Sequence, residues 1–176
     1  RDRITAYAGA DVRIHNNQLA GADEGSGIAV YSSKAEIHNN DIGPIGGWNG
    51  LWLLGSFDVR AENNTISDTA KEPILAGEYG TQAPSPTPAR LYLANNSIST
   101  QGSGECSSQK WSGGSFTCPA IMAHRSGATI VDNEINAGGG SSWIFGSLRT
   151  SNDPFLGAQG VNGTISTNNW YHTVLS

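Results

Sequence analysis

The chain has 176 residues, a net charge of −5 and only 14 % charged residues. This length suits one domain over 1–176, and the negative charge argues against nucleic acid and anionic membrane surfaces as partners. No apolar run is long enough to span a bilayer.

An asparagine motif recurs along the whole chain. Each copy has a polar pair, usually Asn-Asn, followed by one residue and then an aliphatic or aromatic one. The second asparagines are Asn17, Asn40, Asn64, Asn96, Asn133 and Asn169. Their spacing of 23 to 37 residues indicates a repeated unit with insertions of variable length, which is typical of a stacked solenoid.

Two short strands in each unit are predicted from apolar residues that alternate with a period of two. The first strand is expected at 4–6, 28–30, 51–53, 74–76, 121–123 and 144–146. The second strand is expected at 12–14, 35–37, 59–61, 91–93 and 128–130. In the last unit Ile165 sits one place off this pattern, so inward positions are not assigned after Asn162.

The asparagine pair has a structural explanation. Asparagine tolerates the left-handed backbone conformation that a tight bend between strands needs. Its side-chain amide carries both donors and an acceptor, so equivalent amides in successive units can bond to one another. We therefore predict an asparagine ladder along a stack of about six to seven coils, spaced about 4.8 Å apart. Stacking also buries the apolar positions in one continuous core.

The segment that best displays the repeat is 27–42, with the sequence Gly-Ile-Ala-Val-Tyr-Ser-Ser-Lys-Ala-Glu-Ile-His-Asn-Asn-Asp-Ile. It resembles the repeat of right-handed parallel β-helix proteins, the pectate-lyase-like superfamily, and the resemblance covers nearly the whole chain. It implies an all-β, right-handed parallel β-helix but no particular activity, because the superfamily includes lyases, hydrolases, epimerases, adhesins and phage spikes. The chain lacks the catalytic and calcium-binding motifs of the enzymes in this superfamily, so the subfamily is not identified.

Three insertions interrupt the repeat, at 77–89, 101–119 and 147–160. The second contains both cysteines, Cys106 and Cys118, in a Gly/Ser-rich segment. We expect a disulfide between them, which indicates an oxidising compartment and hence a secreted or cell-surface protein, extracellular or periplasmic. Three asparagines lie in Asn-x-Ser/Thr sequons: Asn63, Asn95 and Asn162. Such sequons arise by chance in an asparagine-rich repeat, so they do not predict glycosylation.

The outward positions of the first strands form an unusually apolar row. Its members are Tyr31, Trp52, Leu54, Leu75, Met122, His124, Trp143 and Phe145. In one interpretation the aromatic side chains bind sugar rings, and the candidate ligand-binding residues are then Tyr31, Trp52, Trp143 and Phe145. In the other, insertion loops or another domain cover the row.

The second strands carry two charged columns. Arg13, Glu36 and Arg60 alternate in sign and predict an ion-pair ladder. His15, His38 and Glu62 form the neighbouring column. Two stacked histidines without further ligands do not make a zinc site, so neither a metal nor a cofactor is predicted.

Candidate catalytic residues are Glu78, His124 and Arg125, near the ends of first strands in neighbouring coils. A carboxylate, a general base and a cation on one face suit a lyase or hydrolase acting on polysaccharide. The alternative is that Glu78 and Arg125 form an exposed ion pair and His124 ends a strand. Further acidic and basic candidates are Glu72, Arg149 and Asp153.

The sequence thus predicts an extracellular β-helix module for surface adhesion, assembly or glycan contact. The alternative is a carbohydrate-active enzyme (a polysaccharide lyase, hydrolase or epimerase) or a fragment of one. Arg1 already lies in a strand-like segment, and we interpret the chain as a mature or excised segment of a longer product. The expected partners are a polysaccharide, or another domain or subunit that covers the coil ends.

Overall fold

The architecture follows from a computed structural model. It describes residues 1–7, 11–31, 34–54, 58–77, 90–99, 120–124, 127–136, 144–147, 164–165 and 170–172. All regular structure in these ranges is β-strand. None of them contains a helix that could cross a membrane.

The strands form three parallel sheets of six strands each. The first sheet contains β1 (Ile4–Ala6), β4 (Ile28–Val30), β7 (Leu51–Leu54), β10 (Ile74–Gly77), β13 (Ile121–His124) and β16 (Ile144–Ser147). The second contains β2 (Asp11–His15), β5 (Lys34–His38), β8 (Asp58–Glu62), β11 (Arg90–Ala94), β14 (Gly127–Val131) and β17 (Thr164–Ile165). The third contains β3 (Gln18–Leu19), β6 (Asp41–Ile42), β9 (Thr65–Ile66), β12 (Ser97–Ser99), β15 (Glu134–Asn136) and β18 (Trp170–His172).

Each coil contributes one strand to every sheet, in the same order each time. Successive coils therefore pair through parallel strands, which is the topology of a parallel β-helix. The described strands make six coils, and the predicted fold class is confirmed. The third strand of each coil begins directly after the asparagine pair in the first five coils.

The register of the strands confirms the predicted inward columns. In the first sheet the column is Ile4, Ile28, Leu51, Ile74, Ile121 and Ile144. In the second sheet Ile165 pairs with Ile130, although the sequence pattern placed it one position off. Ile165 and Tyr171 are six positions apart, whereas their partners Ile130 and Ile135 are five apart, so the last coil has one extra residue and both of its strands stay in register.

Aliphatic side chains from all three sheets form one core. The largest fully buried ones are Ile28, Ile37, Ile42, Ile45, Leu51, Leu53, Ile66, Ile74, Leu75 and Leu93. All of them except Leu75 belong to a single contiguous cluster. Branched aliphatic residues suit these short strands because they pack well across parallel neighbours on a pleated surface.

The two asparagines of each motif have separate roles. The first member lies in the left-handed region in every described copy, with φ between 51° and 57°; these residues are Asn16, Asn39, Asn63, Asn95 and Asp132. The second member joins the ladder. Asn40 illustrates the pattern: its backbone N–H and its Nδ2 both donate to Oδ1 of Asn64, at 3.1 and 2.9 Å.

The same two hydrogen bonds link Asn17 to Asn40, Asn64 to Asn96 and Asn96 to Asn133. Each Nδ2 from Asn40 onward also donates to a backbone carbonyl of the preceding coil, as Asn64 does to Ile37 at 3.0 Å. Asn169 lies outside the described residues. The ladder satisfies buried amides that would otherwise cost about 1–3 kcal/mol each.

Two glycines leave room for an aliphatic side chain of their own coil at the entry to the first sheet. A Cβ on Gly27 would collide with the side chain of Ile42, and a Cβ on Gly50 would collide with that of Ile66. Gly27 and Gly50 are consecutive members of one column, since the residues that follow them pair in register. A residue without a side chain is therefore required at both positions.

Candidate functional site

The outward row of the first sheet divides into a buried part and an accessible part. The register places Thr5, Ala29, Trp52, Leu75, Met122 and Phe145 in one column. Leu75 and Met122 are 0 % exposed, yet neither belongs to the core cluster. These two outward side chains are therefore covered on the outside of the sheet, as the second of the two sequence interpretations expected.

The accessible part lies over the first three coils and consists of two aromatic pairs. Tyr7 and Tyr31 are in equivalent positions and stack with ring centroids 5.6 Å apart and planes 14° apart. Trp48 and Trp52 contact each other with centroids 5.3 Å apart and a tilt of 35°. We call these four residues the aromatic surface. Trp52 and Tyr31 lie on neighbouring coils, about 8 Å apart from strand geometry.

Exposure is concentrated in this surface. Tyr7 is 70 % exposed and Trp48 is 38 % exposed, and they are the exposed large hydrophobic side chains of the described chain. Sequence analysis identified Tyr31 and Trp52 but missed Tyr7 and Trp48. Tyr7 could have been found from its register with Tyr31.

Trp48 lies in the turn that leads into β7, outside any strand. Its backbone N–H donates to Gly25 O at 3.0 Å, and its own carbonyl accepts from the Lys71 N–H at 3.1 Å. Gly25, Trp48 and Lys71 thus form a column of turn positions. The Lys71 ammonium lies over the Trp48 ring, 5.4 Å from its centroid. Only the stacking of three turns brings these residues together, and turn stacking has no periodic signal in the sequence.

The outer face of the second sheet carries alternating charges around a cleft of about 520 Å³. Its charged lining residues are Asp11, Arg13, Lys34, Glu36, Asp58 and Arg60. In this grid each charge has the opposite sign to its neighbours along the strand and on the next strand. Opposite charges on adjacent strands favour the parallel pairing of β2, β5 and β8.

The column Arg13, Glu36 and Arg60 predicts two ion pairs between strands, and the first of them is formed. Arg13 Nε lies 2.9 Å from Glu36 Oε2. Arg60 instead turns along its own strand to Glu62 and packs over the Tyr92 ring, 4.5 Å from the centroid. The pKa of Arg60 is raised, first by its hydrogen bond to Glu62 and then by the charge of that carboxylate.

The neighbouring column contains a histidine stack. The rings of His15 and His38 are 4.9 Å apart and within 8° of parallel. Each Nδ1 lies within hydrogen-bond distance of the amide nitrogen of the next residue, at 3.0 Å for Asn16 and 3.2 Å for Asn39. Among the described residues, no group of three His, Cys, Asp or Glu side chains is arranged to hold a metal ion.

Most of the predicted catalytic and covalent sites are not tested by this structure. Glu78, Arg125, Trp143, Cys106 and Cys118 lie outside the described residues. His124 ends β13 opposite Gly77, and Phe145 pairs with Met122. For His124 and Phe145 the structure describes the backbone and not the side chain. Arg149 and Asp153 also lie outside it.

Glu72 is the one further acidic candidate that the structure describes. Its side chain is fully buried, and Asn49 Nδ2 contacts both its backbone carbonyl, at 2.6 Å, and its carboxylate, at 3.3 Å. Asp2, Ser26, Asn49 and Glu72 are equivalent positions in four coils, and Asp2 accepts a hydrogen bond from the Ser26 N–H at 2.7 Å. Ser26, Asn49 and Glu72 are buried and Asp2 is half-buried, and none of the four lines the charged cleft.

No family model, no curated protein and no solved structure gives a significant match to this chain.

Proposed function

We propose that this protein is an extracellular, non-catalytic β-helix module that contacts a glycan through its aromatic surface. The observation that carries the proposal is the exposure of Tyr7 and Trp48 beside Tyr31 and Trp52. Tyrosine and tryptophan supply a large, rigid contact area with a polar edge, at little cost in conformational entropy. Such a surface suits the apolar faces and hydroxyl groups of sugar rings.

The arrangement defines which parts of the rings a ligand can reach. Tyr31 covers one face of the Tyr7 ring, so a ligand cannot stack on that face. Within the described part of the chain, the buried Trp52 indole N–H has no hydrogen-bond partner, which costs about 1–3 kcal/mol. Unpaired buried polar groups occur mainly at functional sites, and this supports a role for Trp52 beyond packing.

Binding measurements on single variants test the proposal. Tyr7→Ala and Trp48→Ala should each weaken binding of a recognised oligosaccharide about tenfold or more, since exposed aromatic anchors carry most of the energy in such contacts. Arg13→Ala, on the outer face of the second sheet, is the matched control and should bind normally. Equal affinities in all four proteins, with unchanged unfolding temperatures, would refute the aromatic surface as the contact site.

A second candidate is a carbohydrate-active enzyme, and the charged cleft is the observation that favours it. Asp11 and Asp58 are equivalent positions two strands apart, or about 10 Å, and Glu36 lies on the strand between them. Inverting glycosidases place their two carboxyl groups about 6.5–9.5 Å apart. Asp11→Asn and Asp58→Asn should then abolish release of reducing ends. If Glu78→Gln, His124→Ala or Arg125→Ala abolishes it instead, the site lies at the residues first predicted from the sequence.

We further propose that the chain belongs to the pectate-lyase-like superfamily and coils in the right-handed sense that parallel crossovers almost always take. The parallel three-sheet topology and the asparagine ladder support this placement. We also propose that the protein is secreted, because a disulfide between Cys106 and Cys118, expected from the sequence, would require an oxidising compartment. A mass two hydrogens greater after reduction than before would establish the bond.

We also propose that another protein surface covers the first coil. Ile4, Val12 and Leu19 pack against the core but remain partly exposed. Their counterparts in the second coil are buried, namely Ile28, Ala35 and Ile42. Cross-linking of a single cysteine placed at Gln18, beside this end, to a second molecule would identify the contact, and a strictly monomeric, uncross-linked product would argue against it.

A further inference from the structure

The exposed asparagines at the bend after each second strand are equivalent in backbone but not in side-chain contacts. In the first two coils the amide nitrogens of Asn16 and Asn39 contact His15 and His38. In the next two coils the preceding residues are Glu62, which pairs with Arg60, and Ala94. No side-chain hydrogen bond forms at Asn63 or at Asn95 in the described structure.

Of these four bend asparagines, Asn63 and Asn95 are the two that lie in sequons. The hydroxyl residue of each sequon, Thr65 or Ser97, is exposed like its asparagine. The middle residue, Asn64 or Asn96, is buried in the ladder. Both the acceptor amide and the hydroxyl that a transferase recognises therefore face outward, while the residue between them points into the protein. In the first two coils Gln18 and Asp41 occupy the hydroxyl position, so those copies are not sequons.

We propose that Asn63 and Asn95 are acceptor sites for N-linked glycans. In the transfer, the amide nitrogen loses a proton and forms a bond to C1 of an oligosaccharide carried on a lipid pyrophosphate. The C1–O bond to the pyrophosphate breaks, and the lipid pyrophosphate leaves with the electron pair and takes up a proton. The inference rests on the extracellular location proposed above, because a protein encounters the lipid-linked oligosaccharide during export.

The folded protein accommodates a glycan at these positions without losing a contact. The left-handed backbone at Asn63 and Asn95, with φ of 55° and 52°, needs no change when the amide nitrogen is substituted. Neither amide donates a hydrogen bond to another described residue that the linkage would remove, and the ladder runs through the neighbouring residue. A glycan at Asn39 would instead displace the contact to His38.

Peptide mapping by mass spectrometry of the protein exported by its native cells tests the proposal. Enzymatic release of N-glycans in heavy-oxygen water should label Asn63 or Asn95 in most molecules, since the two sites are one strand spacing apart and compete for room. Thr65→Val should abolish labelling at Asn63, and Ser97→Ala should abolish it at Asn95. Thr65→Ser is the matched control that keeps the sequon. Exported protein with both asparagines unmodified overturns the proposal.

A stability measurement separates these sites from an arbitrary exposed sequon. Asp41→Thr creates a sequon at Asn39, and a glycan there should lower the unfolding temperature relative to the same variant after glycan removal. Removal from Asn63 and Asn95 should leave the unfolding temperature unchanged or lower it. If glycan removal from Asn63 instead raises the unfolding temperature, the folded protein does not accommodate a glycan there as proposed. Exported, unmodified protein that still binds glycans through Tyr7 and Trp48 would overturn this inference and leave the proposed function intact.

Discussion

Two adjacent asparagines at each bend look alike in the sequence but have opposite environments in the fold. Asn63 is exposed and supplies the left-handed turn, whereas Asn64 is 1 % exposed and bonds to coils on both sides. Aspartate replaces the first member in the fifth coil, where Asp132 has a φ of 51°. The turn therefore needs a short polar side chain, while the ladder needs a donor and an acceptor together.

Isosteric substitutions at these neighbours should have very different effects. Asn64→Asp replaces an N–H₂ donor with an oxygen that faces the Ile37 carbonyl and Oδ1 of Asn96. We expect a loss of about 3–5 kcal/mol in the free energy of unfolding at neutral pH, because the change buries an uncompensated charge. The folded-state pKa of the new carboxyl should be raised, so part of this loss should be recovered as the pH falls and the carboxyl becomes protonated.

Asn63→Asp is the control, and it should change the free energy of unfolding by less than about 0.5 kcal/mol, since Asp132 already occupies the equivalent position. Urea titration of both variants at two pH values measures the difference. Equal losses at the two positions would show that the ladder is not a main source of stability.

The ladder could be predicted from the sequence because one explanation covered every copy of the motif. The separate roles of the two asparagines in each pair could not be predicted, because both have the same chemistry and differ only in which side of the chain they face. Only Asp132, which lacks a donor, marks the first member as the turn residue.

The strands show what alternation can and cannot predict. It correctly assigned the inward column of the first sheet from Ile4 to Ile144. It also placed Leu75 outward, but alternation gives the side of the sheet and not what lies over it. Leu75 is fully buried because its cover comes from outside its own strand, and sequence periodicity has no information about that contact.

Leu75→Ala should therefore behave as a core substitution although the residue points away from the core. We expect a loss of about 2–4 kcal/mol in the free energy of unfolding, from lost burial and the cavity left behind. Glu36→Ala, outward and exposed on the second sheet, is the comparison and should change it by about 0.5 kcal/mol or less. A neutral Leu75→Ala would mean that the outer row is solvated.

At the scale of the whole molecule, six coils stack into a solenoid whose core and ladder explain its repeated sequence. What distinguishes one coil from the next is on the outside: the aromatic surface on the first sheet, the charged cleft on the second and the sequons at the bend. Trp52 was predictable because it lies on a strand, and Tyr31 because it continues the alternation one residue beyond β4. Trp48 was not, because it joins the surface through a turn stacked between Gly25 and Lys71.

The most direct test of glycan contact is a glycan-array screen of the purified chain, with parallel assays for reducing ends and for the ultraviolet-absorbing product of uronate elimination. The proposed function predicts binding to a defined set of glycans, no product in either assay, and loss of binding in Trp48→Ala. Release of product would contradict the non-catalytic role and direct attention to the charged cleft and to His124. The absence of binding to every glycan would contradict the proposed contact itself.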